Sequence, residues 1–351
     1  MDLNAMGFCA WFAERAAELD LNGCDLARVC AVDRGSCRIL SEAGEVPAEL
    51  SGKLSFHIES PEELPCVGDW VGARHYDGGA AAIIHHVLPR RSFLRRRTPG
   101  ASARYQMIAA NVDAALIVQS GQHDFNPARL ERYLVAAADG RVEPVVLLTK
   151  TDLLAPEETE RSLEVIRSVT GARALAVSCV TGEGLGALRQ ALAPGRTCCL
   201  LGSSGAGKTT LLNRLLGREA FETGGLSGTG EGTHTTTRRQ LVTLDQGALL
   251  IDTPGMREFG LMGAEGGLEL EFADIAAHAA LCRYADCTHL DEPGCAVRAA
   301  VEGGEIAPAR YAGYLKLRKE SEHHALSRLE KRRKDKAFGR MVREVKKGLK
   351  R

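Results

Sequence analysis

The stretch Gly202-Ser203-Ser204-Gly205-Ala206-Gly207-Lys208-Thr209 constrains this chain most. Its spacing is G-x-x-x-x-G-K-[ST]. It follows the apolar run 197–201 and opens the helix-compatible run Thr210 to Leu216, the strand–turn–helix context that a phosphate-binding loop requires. Glycines let the backbone wrap close to phosphate oxygens, and a helix N-terminus points free N–H groups and its positive dipole end at them. Lys208 is placed to reach the β- and γ-phosphates, and the Thr209 hydroxyl to hold Mg²⁺. The site of a nucleoside triphosphate is therefore expected over Gly202 to Thr210, and the rest of the chain must fold so as to present it.

At 351 residues the chain has room for two to three domains. Its formal net charge is zero, but unevenly spread: residues 311–351 carry fifteen basic and five acidic side chains, a local excess of +10. Such asymmetry favours a polyanionic partner. The eleven cysteines are an odd number scattered over a long chain, which argues against a disulfide framework and for a reducing compartment. No signal peptide and no long uncharged apolar run is read, so a cytoplasmic protein without a membrane partner is expected.

Residues 1–22 read as a short amphipathic helical lead. From about 23 to 100, short β-type runs (26–32, 36–40, 53–58, 69–73 and 82–88) are separated by Gly and Pro, the pattern of a small β-barrel. An oligonucleotide-binding (OB) barrel is one candidate among several. The connector that follows carries Arg90, Arg91, Arg95, Arg96 and Arg97, a possible set of phosphate contacts. From residue 101 to 265, apolar runs at 112–118, 145–148, 174–177, 197–201, 241–244 and 248–251 alternate with helix-compatible stretches. That rhythm predicts an α/β domain with a mostly parallel sheet.

Two loops point to the base. Thr149-Lys150-Thr151-Asp152 follows the run 145–148. A carboxylate there accepts both N1–H and the exocyclic amine of guanine, a donor pair that adenine lacks. The Lys150 stem can cover the base plane. Ser178-Cys179 begins a second turn, through 184, whose N–H groups can meet the base O6. GTPases usually carry Asn where this chain has Thr149, which predicts a shortened or lost bracing hydrogen bond.

After the phosphate loop comes a glycine-rich stretch, 224–233, then His234-Thr235-Thr236-Thr237. A threonine here, Thr236 or Thr235, would complete the Mg²⁺ shell. Asp252-Thr253-Pro254-Gly255 matches the D-x-x-G switch: Asp252 for Mg²⁺ and the Gly255 N–H for the γ-phosphate. Met256 stands where other GTPases orient water with Gln. Slow intrinsic hydrolysis is expected, with His234 or a partner macromolecule positioning the water. The order is base loops, phosphate loop, then switches, a circular permutation of the usual one.

Beyond the switches, Cys282, Cys287, His289 and Cys295 supply a closed tetrahedral Cys₃His set, structural in kind. In the tail, Phe338, Met341, Val342, Val345 and Leu349 recur at helical spacing among Arg and Lys.

Together with Val67-Gly68-Asp69-Trp70-Val71 and Ala109-Ala110-Asn111-Val112-Asp113, these motifs closely resemble the circularly permuted, ribosome small-subunit-dependent GTPase A (RsgA/YjeQ) family over nearly the whole chain. The resemblance implies an OB-fold barrel, a permuted GTPase domain and, over 266–351, a helical zinc-binding domain. It also implies one structural Zn²⁺, Mg²⁺ with GTP, and the 30S subunit with its 16S rRNA as partner. The implied role is late small-subunit maturation by a monomer whose GTP hydrolysis the subunit stimulates. A different reading, suggested by Met256, is a GTP-gated rRNA-binding module with negligible turnover.

Overall fold

The computed structural model describes residues 2–21, 23–33, 36–98, 105–122, 125–219, 221, 239–253, 260–261 and 263–321. The chain divides into two compact units. One holds residues 1–95 and 106–259, the other residues 96–105 and 260–351.

In the first unit a barrel comes first, built from β1 (Asp25–Val32), β2 (Cys37–Ser41), β3 (Gly44–Leu50), β4 (Trp70–Tyr76) and β5 (Ala81–Val87). The order β1-β2-β3-β5-β4 closes by a β1–β4 pairing, with β3 and β5 parallel, which is the OB arrangement. Alternating residues fill its interior, among them Ala27, Val29, Ile39, Ala73, Ala82 and Ile84. The run 53–58, expected as a strand, is the helix α2 (Gly52–His57), counting the lead helix α1 (Ala10–Ala17) before it. Ser51 caps α2 by accepting the Leu54 N–H at 3.1 Å, and Leu54 packs against the barrel core. Over six residues one helical turn and a strand show similar alternation, so the cap decides.

The lead is part of the core. Met6, Phe12 and Ala16 pack with Trp70 and Leu88 over one end of the barrel. Beneath them Arg28 is fully buried, and its guanidinium donates to the carbonyls of Met6, Gly68 and Asn111 and lies over the Trp70 ring. Burial lowers its pKa to about 10, so it stays charged at neutral pH. Arg28 thus ties the lead, the barrel and the start of the nucleotide domain together. Gly68 completes the junction: its φ is +95°, and a Cβ there would sit 2.1 Å from the Ala110 carbonyl oxygen.

Three of the five connector arginines, Arg90, Arg91 and Arg95, have internal carboxylate partners. Arg90 grips the buried Asp69 with two nitrogens, Arg91 pairs with Asp113, and Arg95 pairs with Asp139. The strands β6 (Phe93–Arg97) and β7 (Tyr105–Ala110) follow.

The nucleotide half consists of β8 (Ala114–Ser120), α3 (Pro127–Asp139), β9 (Glu143–Thr149), α4 (Pro156–Val169), β10 (Arg173–Val177), α5 (Leu185–Ala191), β11 (Thr197–Gly202), α6 (Lys208–Leu216), β12 (Arg239–Thr243) and β13 (Leu249–Asp252). Spatial order is β10-β9-β8-β11-β13-β12. The first five are mutually parallel, and β12 runs antiparallel to β13. Near-continuous aliphatic runs suit strands covered on both faces: Leu116, Val118, Leu147 and Leu200 meet Leu188 of α5 and Leu211, Leu212 and Leu215 of α6. At roughly 1.5–3 kcal/mol per buried aliphatic side chain, this core fixes the strand ends from which the site hangs. β12 also pairs with β1, making a single eleven-stranded sheet.

The second unit contains α7 (Glu265–Glu271), α8 (Ala273–Ala279), α9 (Ala296–Glu302) and a helix α10 over 308–321. Arg310 on α10 pairs with Asp274 and lies over Phe272, and the buried Ser321 receives the Ala264 N–H at 3.1 Å. Among the described residues no helix is long and apolar enough to cross a membrane.

Candidate guanine-nucleotide site and metal centre

The site forms where the parallel strands end. At the end of β11, Gly202 adopts φ +149°, and a Cβ on it would meet the Val118 carbonyl oxygen at 2.5 Å. Only glycine lets the loop leave the strand so close to β8. Ser203 to Gly207 turn into α6, which begins at Lys208. The Lys208 ammonium is buried and donates to the carbonyls of Gly202 (2.8 Å) and Ser203 (2.5 Å), so the amine is held at the loop it serves. Thr209 is half-buried and Thr210 exposed on the first turn of α6.

The base loop is bound to the phosphate loop. Buried Thr149 donates its hydroxyl to the Ala206 carbonyl at 2.6 Å, with the Gln119 carbonyl at 3.2 Å on its other side. A hydroxyl has a single proton, and the shorter contact takes it. Of the two outcomes expected with Thr in place of Asn, a shortened brace or a lost one, the structure has a brace that is present and short. Lys150 follows in the left-handed conformation, φ +60°, a strained state for a lysine that turns Asp152 back over the strand end. There Asp152 accepts a 2.6 Å hydrogen bond from Ser178. Ser178 in turn receives the Val180 and Thr181 N–H groups. One serine therefore orders both base-reading loops. Cys179 is half-buried against the core, and burial pushes its thiol pKa up, so it stays protonated.

On the other side of β11, β13 delivers Asp252, which is buried. Desolvation raises its carboxyl pKa, with the Lys208 charge and the Thr253 N–H opposing. An ionised carboxylate held there at a cost is suited to a divalent cation. Thr253 donates to the Leu200 carbonyl, locking β13 to β11. His234, Thr235, Thr236, Gly255 and Met256 lie outside the described residues.

The second unit carries the metal candidates. Donor atoms of Cys282, Cys287, His289 and Cys295 all lie within 4.8 Å of one another. The His289 Nδ1 is 3.6 Å from both the Cys282 and Cys295 sulfurs, which are 4.0 Å apart. A tetrahedral ion with metal–sulfur bonds of about 2.3 Å needs edges of about 3.6–3.8 Å. The donor set fits a closed four-coordinate site. The loop is braced from outside: His289, at φ +65°, has its carbonyl bound by the Tyr311 hydroxyl. Arg318 donates to the Thr288 carbonyl at 3.2 Å. The Glu292 carboxylate accepts from Thr288 and Leu290, which hold its pKa down at about 2. Tyr311 and Arg318 belong to the segment read as a nucleic-acid tail; these two are structural, and residues 322–351 lie outside the described residues.

Arg28 is not singled out by the sequence, and Thr253 is read there only as a spacer of the D-x-x-G motif. Each donates to backbone carbonyls, and no residue pattern announces such a bond.

The profile of the RsgA GTPase family matches residues 87–262. The chain is 42% identical over 335 residues to the small ribosomal subunit biogenesis GTPase RsgA of Opitutus terrae, spanning 93% of this chain and 91% of that relative. The Xylella fastidiosa (strain M23) protein of the same name is 46% identical over 303 residues, 85% and 88% of the two chains. YjeQ from Thermotoga maritima superposes with a TM-score of 0.62 at 27% identity, over 84% of this chain and 96% of that one. The circularly permuted GTPase YloQ shares the fold, with a TM-score of 0.59 at 23% identity, over 87% and 97%. A phosphate loop braced to a guanine-type base loop, in permuted chain order and followed by a Cys₃His centre, thus coincides with similarity along nearly the whole length: the chain belongs to the RsgA GTPase family.

Proposed function

We propose that this GTP hydrolase acts in late maturation of the small ribosomal subunit, binding the 30S particle and its 16S rRNA as a cytoplasmic monomer and leaving after hydrolysis. The observation that supports this best is the coupling of Asp152 and Ser178 to the phosphate loop through Thr149, in a chain 42% identical to a small-subunit biogenesis GTPase.

In this reading Asp152 accepts the two guanine donors, the Lys150 stem covers the base, and the turn at Ser178-Cys179 meets O6. Lys208 exchanges its carbonyl partners for β- and γ-phosphate oxygens. The N–H groups of Ser203 to Thr210 surround the phosphates where the α6 dipole favours negative charge. Thr209, Asp252 and a threonine near Thr236 would hold Mg²⁺, which neutralises charge on the transferring phosphoryl group when bound. The Gly255 N–H contacts the γ-phosphate. With Met256 unable to bond water, His234 or a ribosomal group positions the nucleophile, so unassisted turnover is slow. The Cys₃His set would hold Zn²⁺ as a structural ion. The functional segments are then 1–22, the barrel over 23–100, the GTPase domain over 101–265 and the zinc domain with its basic tail over 266–351.

Co-sedimentation tests the partner. The chain should pellet with purified 30S subunits at least about tenfold more strongly with a non-hydrolysable GTP analogue than with GDP, a coupling of about 1.4 kcal/mol. Equal pelleting with 50S subunits, or indifference to the nucleotide, would count against it. Met256 favours a second reading, a GTP-gated RNA-binding module without useful turnover, which hydrolysis assays separate from the first.

A further inference from the structure

The barrel is joined to the nucleotide domain at a specific strand. β12 is hydrogen-bonded on one side to β13 and on the other to barrel strand β1. Gln240 faces Asp252 across the first seam and Ala31 across the second. The residue before it, Arg239, opposes Val32 of β1 and donates from its guanidinium to the Met107 carbonyl of β7. The same guanidinium lies near enough to Cys66, in the barrel, and Cys199, in β11, to oppose the burial that pushes both thiol pKa values up. One side chain at the start of β12 is therefore bonded to β7 and stands at the barrel seam.

We infer that Arg239 is a positioning residue that sets the register of the seam between β12 and β1, so that the barrel and the nucleotide site share one conformational equilibrium. A β-register is discrete: a slip by one residue turns every side chain to the opposite face. β12 is short, Arg239–Thr243; four of its residues are paired with β13 but only two with β1, so backbone pairing alone specifies the barrel seam weakly. The Arg239–Met107 bond adds a fixed point at the end of β12 nearest to Asp252. Because the same strand also carries the barrel seam, whatever shifts β1 shifts the partner of Asp252, and by linkage the reverse holds equally. The barrel becomes the lever through which a macromolecule bound there changes the nucleotide site.

This rests on the GTPase reading, and the test keeps the two apart. In the full chain, wild type is compared with Arg239→Ala and Arg239→Lys for GDP affinity, single-turnover GTP hydrolysis, and amide hydrogen exchange over residues 25–32 with GDP and with a non-hydrolysable GTP analogue. Wild type should exchange differently over 25–32 in the two nucleotide states. In Arg239→Ala that difference should vanish and the hydrolysis rate fall about tenfold, the scale of one charge-assisted hydrogen bond. GDP affinity should stay within about twofold, because GDP contacts the base and phosphate loops rather than the strand beyond the switch. Arg239→Lys, which keeps one donor, should recover most of the rate. The inference is overturned by identical exchange in both states of the wild type, by an unchanged rate in Arg239→Ala, or by GDP affinity falling in step with the rate. A wild type that hydrolyses no GTP sinks the functional reading instead, while the exchange comparison still decides the coupling.

Discussion

The phosphate loop leaves the end of a strand buried in a parallel sheet, whereas the Cys₃His loop is strung between helices of only seven residues. Both depend on left-handed residues, Gly205 and Gly207 in one, His289 and Gly294 in the other. Both gather polar groups at a candidate ligand site. Their supports differ. Around the nucleotide loop, nineteen buried aliphatic and small side chains form a core built by the sheet and its helices, which suits a ligand that comes and goes. Helices of two turns are marginal on their own; α8 and α9 bury only a few apolar side chains, Ile275, Val297 and Ala300 among them. α8 is tied to α10 by the Arg310–Asp274 pair, and the four metal donors lie in the loop between α8 and α9. An exchangeable ligand suits a site built by the sheet; a resident one suits a site that the ligand itself builds.

Removing the metal should break the comparison most visibly. A chelator, or Cys287→Ser, should melt residues 260–321 locally, since closed zinc sites in small modules supply on the order of 10 kcal/mol. Limited proteolysis should then cut this segment while guanine-nucleotide binding persists; an unchanged digestion pattern would mean that the helices stand alone. Lys208→Ala should do the opposite, lowering GTP hydrolysis by about 10²–10³-fold, as loss of a preorganised charge does, with little change in Tm. Asp152→Asn should weaken GTP binding by about a hundredfold, two charge-assisted hydrogen bonds, and shift preference toward xanthosine triphosphate; a protein still selective for GTP would remove Asp152 from base recognition. Thr149→Val should cost about 1 kcal/mol, read as a several-fold loss in affinity for GDP and GTP alike, because the bond to Ala206 braces the loop in either state.

The smallest effect concerns Asp252. Its pKa is raised by burial, so the nucleotide-free fold binds that proton more tightly than the unfolded chain. Stability contributed by this group is therefore present at low pH and lost as pH rises through the folded pKa. Asp252→Asn should raise the Tm of the nucleotide-free protein at pH 7 and abolish any stabilisation by Mg²⁺ with GTP. A lowered Tm would show that the Lys208 charge outweighs desolvation.

Much of the site was legible because phosphate and base recognition need fixed residue types at fixed spacing. Gly202 to Thr209, Asp152 and Ser178 fall where their motifs put them, and the four metal donors converge. The barrel pattern was legible as strands, but not the α2 turn, whose Ser51 cap looks like any loop serine. The internal partners of Arg90, Arg91 and Arg95 were not legible for a physical reason: a run of Arg looks alike whether it meets phosphates or Asp69, Asp113 and Asp139, and the aspartates lie as far as 44 residues away in sequence. The β1–β12 seam joins strands some 210 residues apart, with no local signal. Thr149 shows the limit of analogy, since the spacing left open whether its hydroxyl would reach the phosphate loop, and it does so at 2.6 Å.

The most direct measurement is GTP turnover by the purified full chain, alone and with purified 30S or 50S subunits. The account predicts slow turnover alone and a rise of about tenfold or more, over 1.4 kcal/mol off the barrier, with 30S only. Equal rates under all three conditions would contradict it.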